Sequence, residues 1–155
     1  MTAPSSPANR PASIHGTAVK VGSAAVLIRG PSGSGKSRLA LELILAGRSQ
    51  QIAATTLVGD DRLLMDTTEH ELVVRPAPEL AGLIEVRGLG IRRCDFAPDA
   101  VVGLVVDLAA ADAARLPPPS ALSVTISGIR LPRIAVPVGY APLPLVVAAL
   151  TTTQG

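Results

Sequence analysis

The chain has 155 residues, 48% of them hydrophobic, with fourteen Lys+Arg against twelve Asp+Glu, one Cys, one Phe, one Tyr and no Trp. That length and apolar content suit one domain of ordinary size around a buried core, without room for a second independent domain. A net charge of only +2, with no basic cluster and no interleaved aromatics, provides neither a phosphate-tracking face nor a base-stacking platform, so nucleic acid is not an expected partner.

Residues 1–13 begin MTAPSSPANRPA, rich in Pro, Ser and Ala, and lack both a continuous apolar stretch and a cluster of early positive charges; they read as a disordered tail rather than a signal peptide. The body is expected over 14–150, with 151–155 a short second tail. Ile14–Val21 and Ala24–Arg29 are apolar and β-branched, and Gly22-Ser23 between them predicts a tight turn joining two strands. Lys36–Ala46 reads as a helix that is apolar nearly all round and stops at Gly47. Short strands follow at Thr55–Val58, Arg62–Met65, Glu71–Arg75, Leu83–Arg87 and Val101–Leu108, each bounded by Gly, Pro or Asp. After Pro117-Pro118-Pro119, which continues no regular element, Leu122–Ser127 and Arg130–Val136 alternate like a hairpin about Gly128, and Pro142–Leu150 fits a final helix or a buried strand. The longest apolar run, Val101–Ala111, includes Gly103 and Asp107 and is too short to cross a bilayer, so no membrane partner is expected. Cys94 has no partner for an internal disulfide and no CxxC or His neighbour at metal-ligand spacing, which fits an incidental thiol in a reducing cytoplasm. The fold class is α/β of the mixed α+β kind: one mixed sheet with few helices.

Chemistry enters between the second strand and the first helix. Gly30-Pro31-Ser32-Gly33-Ser34-Gly35-Lys36-Ser37 fits GxxxxGK[ST] at every fixed position and follows the apolar Ala24–Ile28. The glycines let successive N–H groups turn inward onto phosphate oxygens, Lys36 neutralises the β/γ-phosphates, and the Ser37 hydroxyl is placed for Mg²⁺. The helix it opens adds a favourable dipole at the anion. A nucleotide loop of this kind needs acidic partners for the metal and, in a kinase, for the acceptor proton. Two sets compete on spacing: the adjacent Asp60-Asp61 after Gly59, and Asp107 closing the apolar Val101–Val106. Glu85 and Arg87 fall on one face of a strand by its two-residue period, before a glycine-bounded loop, and supply a carboxylate for metal and a guanidinium for phosphate.

Ile14-His15-Gly16, the phosphate loop, Leu57–Arg62 and Leu83–Ile91 (LIEVRGLGI), in that order, resemble the catalytic domain of HPr kinase/phosphorylase over most of Ile14–Val138. The resemblance implies a fold related to the nucleotide domain of phosphoenolpyruvate carboxykinase. It implies a cytoplasmic serine kinase, using ATP and Mg²⁺, whose protein partner is an HPr-like phosphocarrier of the sugar phosphotransferase system; many members also run the reverse reaction, with phosphate giving pyrophosphate. By resemblance Asp60 is the general base, Asp61 and Glu85 stand with Ser37 on the metal side, His15 lies beside the site, and Lys36 and Arg87 serve the phosphates.

The sequence also departs from the family. Arg38 replaces the Glu that many members carry after GKS, and Pro137–Gly155 contains none of the arginines of the RPGR-like loop that longer members carry there. Since that loop is linked in the family to dephosphorylation and partner contacts, a slow or absent reverse reaction is expected, and the homo-oligomer of the family is left open. The alternatives are a kinase of this fold with another acceptor, and a nucleotide-sensing module without transfer activity.

Overall fold

The computed structural model describes residues 12–155. The tail expected over residues 1–13 therefore lies outside the described residues except for Ala12 and Ser13, which are in a strand. The elements are β1 (Ala12–His15), β2 (Thr17–Val21), β3 (Ala24–Arg29), α1 (Lys36–Arg48), β4 (Thr55–Gly59), β5 (Arg62–Thr67), β6 (Leu72–Pro76), β7 (Leu83–Val86), β8 (Gly90–Arg93), β9 (Ala100–Leu108), β10 (Ser123–Ile126), β11 (Ile129–Val136) and α2 (Pro142–Thr151). The mixed sheet with few helices is thus found.

Three differences from the expected elements have local causes. Gly16 divides the expected Ile14–Val21 strand, because β1 pairs with β5 while β2 pairs with β3 and β4. Helix α1 does not stop at Gly47 but runs to Arg48, and the left-handed residue beyond it is Gln50 (φ 63°). Gly47 instead gives clearance: a Cβ there would stand 2.8 Å from the Thr55 hydroxyl of β4. Finally, Gly90–Arg93, for which no element was expected, forms β8 and pairs back on β7, leaving Arg87 in the turn rather than on the strand.

Nine strands form one sheet in the order β1-β5-β6-β9-β3-β2-β4, with β11 on β9 and β10 on β11. The long strand β9 makes the fork: its start pairs antiparallel with β6 and its end parallel with β11, both opposite β3. Antiparallel β2 lies between β3 and β4, so β3, β4, β9 and β11 run in one direction and end together, the edge at which open α/β sheets place their ligands. Strand β3 is buried on both faces, as its continuous apolar run requires. Val26 and Ile28 pack under α1 with Leu39, Leu43 and Val146 of α2, while Ala25 and Leu27 pack with Leu63, Leu72, Val74 and Leu131. Each such Leu contributes about 1.5–3 kcal/mol of transfer free energy, which holds the phosphate-loop strand on a rigid base. No helix among the described residues is long and apolar enough to cross a membrane.

Candidate active site

The loop between β3 and α1 is preformed. Gly33 (φ 80°) and Gly35 (φ 99°) adopt left-handed conformations with nothing within 4 Å of an added Cβ, leaving open space over the loop, whereas a Cβ on Gly30 would collide with the Ser34 hydroxyl at 2.6 Å. Gly35 caps α1 without a side chain, so the first N–H groups of the helix are left for an anion. Lys36 is buried and folds back, its Nζ donating to the carbonyls of Gly30 (2.8 Å) and Pro31 (3.1 Å). Pro31 also accepts from Ser34 N–H at 3.1 Å, which leaves Ser32 at the exposed tip. The Ser34 hydroxyl is the one buried side-chain polar atom among the described residues with no hydrogen-bond partner. An unsatisfied donor in a loop of free N–H groups fits a nucleotide polyphosphate.

Asp60 leaves the end of β4 toward Ser37. It is 5% exposed, and both its oxygens are engaged: Ser37 Oγ donates to them at 2.7 and 2.9 Å, Thr17 Oγ1 at 2.8 Å and the Glu85 N–H at 2.9 Å. All these donors are neutral, so the carboxylate is held in place with its negative charge uncompensated, the condition for attracting a cation. A register shift between Ala18 and Val19 in the β2–β4 ladder, where Gly59 faces Ala18 and Leu57 faces Val19, turns the strand end toward the loop.

Asp61 takes the opposite course. Its backbone is left-handed (φ 69°), its N–H donates to Thr17 Oγ1 at 3.3 Å, and its carbonyl accepts from Gly16 N–H at 3.1 Å. A non-glycine residue in that region marks a constrained site. The side chain is 75% exposed and meets His15 Nε2 at 2.9 Å. Fully buried Thr17 thus ties both aspartates, and nothing in the sequence marked it, since a threonine opening a strand is commonplace.

Glu85 reaches the site through its backbone N–H; its side chain is exposed, as is that of Arg87, and neither forms an ion pair among the described residues. No group of three His, Cys, Asp or Glu among the described residues encloses a metal. A Mg²⁺ would therefore be held in the manner of phosphate-loop enzymes, by Ser37, a carboxylate, phosphate oxygens and water.

The rival acid, Asp107, has both of its oxygens engaged by arginines. Arg29 Nε and Nη2 donate to its two oxygens at 2.7 and 2.9 Å, and Arg133 Nε adds 2.6 Å while its Nη atoms hold Asp112. Burial opposes ionisation, but the hydrogen bonds from Arg29 and Arg133 outweigh it and hold the carboxyl below the usual Asp range. Neither arginine carried a local sequence signal, one standing just before the phosphate loop and the other 26 positions beyond Asp107. Cys94 is half-buried, and burial with Asp95 beside it pushes its thiol up, so it is a poor nucleophile.

The profile described as the HPr Serine kinase C-terminal domain matches residues 8–142. Among curated relatives, the HPr kinase/phosphorylase of Geobacillus thermodenitrificans is 36% identical over 136 residues, which is 81% of this chain and 42% of that protein. The one from Lactobacillus delbrueckii subsp. bulgaricus is 42% identical over 80 residues, 51% of this chain and 23% of that protein. This chain therefore spans well under half the length of these relatives. Among solved structures, the Hpr(Ser) kinase/phosphatase from Coxiella burnetii superposes with a TM-score of 0.70 at 25% identity, covering 90% of this chain and 87% of that one. With the phosphate loop, the paired aspartates and the β7 segment assembled at one sheet edge, the chain belongs to the HPr serine kinase C-terminal domain family.

Proposed function

We propose that this domain is a protein serine kinase that uses ATP and Mg²⁺ and acts on an HPr-like phosphocarrier. The observation that carries the reading is the pairing of a buried carboxylate on Ser37 with an exposed one on His15, both beside the phosphate loop. Family membership supports the reaction class. The reading also fits a cytoplasmic setting.

The two aspartates divide the work by exposure, and the division exchanges the roles expected from the resemblance. Asp60 is held by Ser37, Thr17 and the Glu85 N–H, and its contact with Ser37, the hydroxyl proposed for Mg²⁺, assigns it to the metal side in this reading. Asp61 is open to an acceptor, and His15 fixes its orientation. In the reaction the serine oxygen forms a bond to the γ-phosphorus, the bond to the β-phosphate oxygen breaks, ADP leaves, and the serine proton passes to Asp61. Lys36 exchanges its loop carbonyls for phosphate oxygens, and the free N–H groups at the start of α1 hold the anion. Mg²⁺, when bound, neutralises charge on the transferring phosphates. The exposed side chains of Glu85 and Arg87 keep the roles the resemblance implies, toward the metal and the phosphates, as part of this proposal.

The test is incubation with ATP, Mg²⁺ and HPr, locating new phosphate on serine, beside Asp61→Asn. The variant should keep ATP affinity and lose about 10²–10⁴-fold in transfer, the usual contribution of a general base. No phosphoserine with the unaltered protein would overturn the acceptor, and full activity of Asp61→Asn would overturn the division of roles.

A further inference from the structure

The phosphate loop has two sides, and only one holds the chemistry. Toward β4 lie Asp60, Asp61 and His15; this is where the transferable phosphate must face. The nucleoside of the donor must therefore leave on the other side, over the ends of β9 and β11. There the structure has a cleft of about 200 Å³ lined by Gly33 and Ser34 of the loop, Leu108 and Ala109 after β9, and Val136 to Tyr140 with Pro142 after β11. It is continuous with the phosphate loop because Gly33 and Ser34 belong to both. Complete small-molecule sites occupy about 300–1,000 Å³, so this volume suits one ring system of a ligand whose polyphosphate is bound next door.

The lining has the right chemistry for a planar base. It is apolar at Leu108, Val136 and Pro137, carries no charged side chain, and has the chain's single tyrosine, Tyr140, 64% exposed at its mouth. Ala109 (φ 54°), just past β9, and Gly139 (φ 81°), beyond the end of β11, adopt left-handed conformations in its lining. The nearest acid, Asp107, is held by Arg29 and Arg133 and offers no partner to a base. A larger depression, of about 600 Å³ at Gly82, Arg93 and Phe96, shares no residue with the phosphate loop. We infer that the cleft between the phosphate loop and the β11–α2 connection seats the nucleobase, with Tyr140 stacking on its face.

This inference rests on the proposed nucleotide use, and the experiment separates the two. Equilibrium binding of Mg·ATP and of inorganic tripolyphosphate is measured for the unaltered protein, Tyr140→Ala and Tyr140→Phe. Tyr140→Ala should weaken ATP roughly 5- to 100-fold, the range for loss of one base–aromatic stack, with tripolyphosphate unchanged. Tyr140→Phe should bind ATP as the unaltered protein does. Because Tyr140 is exposed, the variants should fold normally. ATP affinity unchanged in Tyr140→Ala, or ATP and tripolyphosphate weakened equally, overturns the base site. If neither ligand binds the unaltered protein, the nucleotide reading itself fails.

Discussion

Asp60 and Asp107 stand at the ends of parallel apolar strands on the same sheet edge, one on each side of the phosphate loop, and they differ in what surrounds them. Asp60 is held by two hydroxyls and one backbone N–H, Asp107 by two guanidinium groups. Neutral donors orient a carboxylate while leaving its charge available; cationic donors cancel it. In register, Asp107 lies directly across from Arg29, the last residue of β3, so the ion pair clamps the strand that launches the loop. One carboxylate is held by neutral donors and the other by cations, although their sequence settings are nearly the same.

Transfer rates give the widest separation. Asp60→Asn should reduce phosphoryl transfer to HPr by about 10²–10³-fold, as expected for losing one preorganised electrostatic element, while Asp107→Asn retains activity within several-fold of the unaltered protein at a temperature where it is folded. Initial rates of phosphoserine formation at saturating ATP decide it. An Asp107→Asn loss as deep as that of Asp60→Asn would mean that the ion-paired acid also serves the metal, and the contrast would collapse.

Stability should rank the same two variants in reverse. Asp107 is 15% exposed in its side chain and Arg133 13%, so Asp107→Asn leaves two guanidinium groups short of their partner and should destabilise the fold by about 2–4 kcal/mol. Asp60→Asn removes a buried charge but turns one of two accepting oxygens into a donor facing donors, so the two effects oppose and its stability should fall by less than that of Asp107→Asn. Urea midpoints at constant m-value measure both.

That contrast also marks the limit of what was legible in the residues. The phosphate loop, its flanking strand and helix, and the Asp60-Asp61 pair were readable because they are local: fixed spacings within one strand–loop–helix unit. The sheet's mixed character was readable from short strands bounded by turn residues. What surrounds each acid was not, because Thr17 lies 43 positions from Asp60 and Arg29 lies 78 from Asp107, and only the sheet order brings them together. Exposure was hidden for the same reason, so adjacency in sequence could not say which of Asp60 and Asp61 is enclosed. Strand β8 carries no such local signal, because Gly88 and Gly90 look like loop residues, whereas their left-handed conformations make the turn that lets Ile91, Arg92 and Arg93 pair back on β7.

The smallest expected effect is in acid, and its sign follows from the ion pairs. The folded-state pKa of Asp107 lies below its unfolded value, burial being outweighed by the hydrogen bonds from Arg29 and Arg133. Its stabilisation is therefore complete above the unfolded pKa of about 4 and is lost as the pH falls through the lower folded value. Arg133, its own pKa raised further by Asp112 and Asp107 against the opposing effect of burial, stays charged throughout that range, so the carboxylate alone titrates the pair. Asp112 is also lowered by Arg133, but it is present in both the unaltered protein and Asp107→Asn and largely cancels in their difference. The gap in unfolding free energy between these two proteins should be constant from pH 7 to about 5 and narrow steadily below about 4. A gap that stays constant into strong acid would show that the Asp107 side chain stabilises by packing and neutral hydrogen bonds, and the division into a charged tool and a neutralised clamp would then lose its electrostatic basis.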